Sequence, residues 1–289
     1  MAMGDNTMSE SIESSIFKQY NKKIWAKFHK AINDYQLIQN GDRIAVCISG
    51  GKDSMLMAKC IQMLMRHRTY DFSVEFIAMN PGYTDENKNK IISNAEKMEI
   101  PIKMFETKIF ESTEKTDKHP CFLCARLRRG WLYKKAQELG CNKIALGHHF
   151  DDVIETILMG MLYGSQIQTM MPKLHSENYS GLQLIRPLYL IRENDIIDWC
   201  NANELEFIRC ACRITEKIGE GSSKRGEIKN LLAELRKNNP AVDMNIFRSV
   251  ENVNLQTLIS YHKGDEYHHF LDSYSEGLSI RGTKNDFHL

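Results

Sequence analysis

The chain has 289 residues, 42% of them hydrophobic, which bounds it to one α/β domain with helical additions rather than two full domains. Its 38 Lys and Arg against 37 Asp and Glu leave a net charge of +1, so any grip on nucleic-acid phosphates must come from local clusters. No apolar run is long enough to span a membrane and no secretory signal is evident, so the eight cysteines are expected in a reducing cytoplasm rather than in a disulfide framework.

In chain order, residues 1 to 11 are polar and read as a mobile tail. An amphipathic helix from about Ile12 carries Ile24, Trp25 and Phe28 on one face and Lys18, Lys22, Lys23, Lys27 and Lys30 elsewhere. Such a lysine face is ordinarily just solvated; RNA contact is the competing expectation. The buried strand Ile44-Ala45-Val46-Cys47-Ile48 leads into Ser49-Gly50-Gly51-Lys52-Asp53-Ser54, with a helix opening at Asp53 or Ser54. Asp71 to Asn80 reads as strand two, Glu86 to Glu99 as its helix and Ile102 to Glu106 as strand three. Thr107 to Lys118 is charged and aperiodic, a loop near the cleft. Cys121-Phe122-Leu123-Cys124 then opens the helix Ala125 to Leu139, which carries Arg126, Arg128, Arg129, Lys134 and Lys135.

Lys143 to Leu146 is another short strand, followed by Gly147-His148-His149-Phe150-Asp151-Asp152 and a helix over Val153 to Tyr163. Gln183 to Leu190 resumes β structure, Glu193 to Ala202 is helical, and the strand-like Leu205 to Ile208 ends at Cys210-Ala211-Cys212. Glu220 to Gly226 is the clearest linker. Helices are expected over Glu227 to Lys237 and Ala241 to Ile259, and the tail from His262 carries no assignable pattern. The expected divisions are 1–39 (tail and amphipathic helix), 40–218 (catalytic domain), 219–262 (C-terminal helices) and 263–289 (tail).

A strand, a glycine turn and a helix start make an anion site, because the free first-turn N–H groups and the helix dipole point at the ligand. The string is not the Walker loop, which needs four residues between its glycine and Gly-Lys-Ser/Thr. Ser49 to Ser54 instead resembles the PP-loop of the ATP-pyrophosphatases, which split ATP between the α and β phosphates. Asp151 and Asp152 could simply cap their helix; beside a nucleotide site, Asp152 is favoured as a Mg²⁺ ligand. His148 and His149 together are read as lining the ATP and substrate cleft. Cys47, Cys60, Cys141 and Cys200 fall in apolar patterns and are read as inert core thiols. A Cys-x-x-Cys paired with a distant cysteine indicates a metal or cluster site. In a parallel sheet with helical crossovers, all these motifs fall on the edge where strands end and helices begin.

The order Ser-Gly-Gly-Lys-Asp-Ser, Pro-Cys-x-x-Cys-x-x-x-Arg-Arg, Gly-His-His-x-Asp-Asp and a late cysteine resembles the tRNA 2-thiocytidine synthetase family over about residues 12 to 260. The resemblance implies a twisted parallel sheet with helices on both faces. It implies ATP and Mg²⁺ on Ser49, Gly50, Gly51, Lys52, Asp53, Ser54, Gly147, His148 and Asp152, with the adenine near Met79. It also implies a [4Fe–4S] cluster on Cys121, Cys124 and Cys210, with one iron open to carry sulfide. The reaction would adenylate the C2 oxygen of an anticodon-loop cytidine and replace it with sulfur from a cysteine desulfurase or free sulfide. Arg128 stands where related 2-thiouridine enzymes carry a catalytic Lys, and can hold charge without acting as a base.

Cys212 is the alternative third ligand, and all four cysteines could close a structural zinc site, although the single residue between Cys210 and Cys212 is tight for zinc. The terminal zinc fingers of the 2-thiouridine branch are absent, which favours the cytidine branch. Another PP-loop ligase, a tRNA 2-thiouridine synthetase, a desulfurase and an iron–sulfur sensor are the rival readings, and a homodimer is left open.

Overall fold

The computed structural model describes residues 11–110, 120–208 and 223–274, leaving out the side chains of 120–122. Its centre is a six-stranded sheet built from β1 (Arg43–Ile48), β2 (Ser73–Asn80), β3 (Lys103–Glu106), β4 (Lys143–Ala145), β5 (Lys173–His175) and β6 (Gln183–Ile185). The strand order is β3-β2-β1-β4-β6-β5, all parallel except the antiparallel edge strand β5. From Ile44 to Ile48 β1 is buried without alternation, as a central parallel strand covered on both faces must be.

Four helices make or follow the parallel connections: α2 (Lys52–Arg66), α3 (Asp85–Lys97), α4 (Pro120–Glu138) and α5 (Phe150–Gly164). Ahead of them, two π-helical stretches, Ser15–Gln19 and Asn21–Trp25, lead into α1 (Ala26–Asp34). After the sheet come α6 (Glu193–Ala202), α7 (Lys224–Asn238) and α8 (Val242–Ser249). Ile16, Ile24 and Phe28 of the N-terminal segment join α2 and α6 in the main core on one sheet face. On the other face Tyr133 and Ala136 of α4 pack with Ala45, Cys47 and Ile77. Ile154 and Ile157 of α5 bury themselves with Ile228, Leu232 and Phe247 in a third cluster.

The chain passes from β1 outward through β2 to β3, then returns to place β4 on the opposite side of β1. That reversal puts a topological switch point at the carboxyl ends of β1 and β4, where an open α/β sheet binds its ligands. No described helix is long and apolar enough to cross a membrane.

Several expectations are corrected. Leu205 to Ile208 is not a strand: no neighbour offers it a ladder, and Asn94 of α3 instead donates to the Glu206 carbonyl at 2.8 Å. Only Gln183–Ile185 of the expected β segment pairs, because Pro187 and the turn after it leave the sheet. Ser223 to Gly226, read as linker, is the cap and first turn of α7, with the Ser223 hydroxyl accepting from the Gly226 N–H. The last helix stops at Ser249, and Ser260–Lys263 and Glu266–His269 form a hairpin, β7 and β8. Two of the N-terminal lysines, Lys23 and Lys27, turn to Asp195 of α6 at 3.3 and 3.4 Å, which weakens the expectation that this face meets RNA.

Candidate active site

Gly50 follows β1 with φ +85, a left-handed conformation that glycine adopts without strain, and Gly51 caps α2. A Cβ at Gly50 would come within 2.6 Å of Ile91 and 2.8 Å of Ile208. The Ser54 hydroxyl accepts from the Ser49 N–H at 3.1 Å and donates to the Gly51 carbonyl at 2.9 Å, tying the loop across its mouth. At Gly147, a Cβ would stand 3.0 Å from the Ser54 nitrogen, so the loop after β4 lies directly on the first turn of α2.

These two loops border a cleft of about 230 Å³. Ser49, Asp53, Ser54 and Met79 line one part of it, and Gly147, His148 and Arg128 another. Gly50, Gly51 and Lys52 belong to the same loop. The Lys52 ammonium lies 3.0 Å from Glu193 and 3.1 Å from Asp53. Burial pulls its pKa down, but Asp53 and Glu193 outweigh burial and hold it above its ordinary value. Burial likewise pushes the Glu193 carboxyl up, and Lys52, His149 and Lys229 overcome it, bringing it to about 2. Glu193 escaped the sequence reading because an acid at a helix start reads equally well as a partner for the dipole.

His148 is held down to about 4, chiefly by burial, with Arg186 and Arg225 adding to the effect against Asp152. It is neutral at pH 7, and its buried Nδ1 has no hydrogen-bond partner. His149 caps α5 reciprocally with Asp152: the Asp152 N–H donates to His149 Nδ1, and the His149 N–H donates to Asp152 at 3.0 Å. The other Asp152 oxygen accepts from Arg225 at 3.0 Å. Asp151 points away into an ionic network, accepting from the Glu193 N–H at 2.7 Å and from Arg236 at 2.8 Å, with Arg192 at 3.3 Å. Capping and pairing are thus the roles in view for this acidic pair, and a Mg²⁺ role for Asp152 would compete with Arg225.

Arg128 reaches over the cleft and donates to the Tyr83 hydroxyl at 3.2 Å. Asn80 shapes the turn that presents Tyr83, accepting from the Gly82 and Tyr83 N–H groups at 3.0 and 2.6 Å. Cys124 is half-buried one turn before Arg128, and Cys121 lies in the opening turn of the same helix. Cys210 and Cys212 lie outside the described residues. Ile208, two residues before Cys210, packs where a Cβ on Gly50 would be, so the chain is led past the loop at that point. Among the described residues no three His, Cys, Asp or Glu side chains form a metal-holding group. A cysteine pair at a helix start, where a thiolate is stabilised, suits a thiolate-bound cluster completed from elsewhere. Cys47, Cys60, Cys141 and Cys200 are buried, with thiols pushed up by burial, Cys200 to about 12.

A glycine turn between strand and helix, set at the switch point of a parallel sheet, defines a nucleotide-binding α/β protein of the PP-loop class. The PP-loop domain family matches residues 20–213. A tRNA-cytidine(32) 2-sulfurtransferase from Coxiella burnetii is 36% identical over 248 residues, covering 84% of this chain and 94% of that one. Another from Geobacter sulfurreducens is 34% identical over 241 residues, covering 82% and 92%. The chain belongs to the tRNA-cytidine(32) 2-sulfurtransferase family of PP-loop proteins. Its fold is that of the U34-tRNA thiolase NcsA from Methanococcus maripaludis, solved with its [4Fe–4S] cluster, at a TM-score of 0.61, 23% identity and coverage of 78% and 76%.

Proposed function

We propose that this protein thiolates tRNA at the expense of ATP, replacing the C2 oxygen of an anticodon-loop cytidine with sulfur supplied by a cysteine desulfurase or as free sulfide. The observation that carries the reading is the single cleft bordered by the Ser49–Ser54 loop, the Gly147-His148 loop and Arg128, which sits one turn beyond Cys124. The curated relatives at 34% and 36% identity, whose names specify cytidine, support the choice of base.

The first-turn N–H groups of α2, the Ser49 and Ser54 hydroxyls and Lys52 would bind the ATP phosphates. Asp152 would hold Mg²⁺ together with those phosphates, and the ion would neutralise their charge. The cytidine C2 oxygen forms a bond to the α phosphorus as the bond to the β-phosphate oxygen breaks, and diphosphate leaves. Lys52 and Arg128 hold the charge that develops on the phosphates, and a guanidinium does so without moving a proton. A hydrosulfide then forms the C2–S bond as the C2–O bond breaks, its proton is lost, and AMP leaves with the oxygen. When bound by Cys121, Cys124 and Cys210, the [4Fe–4S] cluster would supply the place from which sulfur is delivered. His148, neutral and buried beside the cleft, adds no positive charge there.

The test is the product set. Turnover should yield AMP and diphosphate, never ADP and phosphate, and only when tRNA and sulfide are both present. ATP hydrolysis to ADP, or turnover indifferent to RNA, would overturn the proposal.

A further inference from the structure

Arg186 follows β6 directly, on the same sheet edge as the Ser49 and Gly147 loops. It is only 8% exposed. Its Nη1 donates to the Met171 carbonyl, yet its Nε is buried without a partner, and it makes no ion pair with a described carboxylate. A guanidinium presents five donors and keeps its proton at neutral pH, so burying one without a counter-ion is costly and calls for an explanation. Burial is the main influence on Arg186 and lowers it to about 10, still fully charged at pH 7. The charges around it do not neutralise it. Tyr133 and Tyr189 are phenols whose pKa values burial raises, and Arg129 is a like charge. Asp152 acts on Arg186 as well, but spends its oxygens on Arg225 and the His149 N–H. Arg129, exposed on α4 beside Arg128, likewise has no described carboxylate partner. Arg186 also acts on His148 and Arg129 follows Arg128, and both His148 and Arg128 line the cleft, so the two arginines adjoin the proposed active site.

We propose that Arg186 and Arg129 form a second oxyanion subsite, two strands along the sheet edge from the Ser49–Ser54 loop, that takes a phosphate group. Two guanidiniums near enough for one to act on the other, with no described carboxylate between them, repel until an anion joins them, and their planar forks fit phosphate oxygens in pairs. The inference rests on the proposed reaction, whose two phosphate sources at this edge are the RNA backbone and the diphosphate product.

The experiment measures tRNA binding over a salt series and, separately, binding of inorganic diphosphate, for the wild type, Arg129→Gln, Arg186→Gln, Arg186→Lys and the double Gln variant. If the phosphate is RNA, each Gln variant loses about 0.7–0.9 from the slope of log K against log salt. The double variant then loses little more, because one phosphate is shared, and diphosphate binding is unchanged. If the phosphate is diphosphate, the salt slope stays and diphosphate affinity falls about tenfold, the size of effect expected for one lost charge-assisted pair. Arg186→Lys keeps the charge and should fall between wild type and Gln. Unchanged tRNA and diphosphate binding in Arg129→Gln overturns the subsite, and this exposed variant decides the matter even if the buried ones do not fold. A wild-type protein that binds no tRNA overturns the proposed function instead, and the diphosphate arm alone then judges the subsite.

Discussion

Gly147 leaves no room for a methyl group, because a Cβ there would press on backbone rather than on a movable side chain. Gly147→Ala should therefore cost about 1–3 kcal/mol through overpacking, read by urea denaturation, and should weaken ATP binding by shifting the first turn of α2. Two titrating groups set the acid side of stability. His148 has a folded pKa near 4 against an ordinary 6.5, so the unfolded chain takes up its proton first. Stability should fall as pH drops from 6.5 to 4, and His148→Gln should flatten that segment of a urea-midpoint series. Glu193, near 2 rather than 4.5, gives stability present above pH 4.5 and lost as pH falls through about 2, a lower window that Glu193→Gln should remove. Arg128→Ala should lower kcat about 10²-fold while changing the tRNA Kd much less, as expected of a charge that matters mainly in the transition state. An equal loss in both would make Arg128 a binding residue.

Elements meet around α5, where the adjacent acids have different partners. Asp151 is buried and joins α5 to α6 and α7 through Arg192 and Arg236, and both arginines continue to Asp243 of α8. Asp151→Asn should cost about 3 kcal/mol, since removing one partner leaves buried charge uncompensated. Asp152→Asn should cost less stability but abolish turnover, without altering any cluster colour. Denaturation paired with turnover on both variants separates the roles, and a reversed pattern would exchange them. The sequence showed two acids at a helix start and could not rank these roles, because Arg192, Arg236 and Asp243 are 41 to 92 residues away from Asp151 along the chain. The strands β1, β2 and β3 and the helix after each loop were legible from apolar runs and glycine placement. The start of α7 was not, because Ser-Ser-Lys-Arg-Gly reads equally as linker and as cap. The β7–β8 hairpin was missed because its strands hold mostly Tyr, His and charged residues, with no buried face to impose alternation.

At the scale of the whole molecule, the sheet edge gathers motifs up to 98 residues apart: the Ser49 loop, the Gly147 loop and Arg128 border one cleft, with Cys124 a turn away. That convergence was readable in advance because a parallel sheet with helical crossovers puts every strand end on one side. Which late cysteine completes the set was not, since Cys210 and Cys212 differ only in local spacing. Anaerobically purified protein should be brown with about four irons per chain. Cys210→Ser should lose the colour and Cys212→Ser keep it, the reverse pattern would make Cys212 the ligand, and a colourless protein with one zinc would replace the cluster with a structural site. The central claim is tested most directly by mass spectrometry of nucleosides digested from tRNA incubated with the purified holoprotein, ATP, Mg²⁺ and sulfide. The expected result is one cytidine in the anticodon loop with sulfur in place of its C2 oxygen, formed together with AMP. Cytidine left wholly unthiolated under those conditions, or sulfur found only on uridine, would contradict the account.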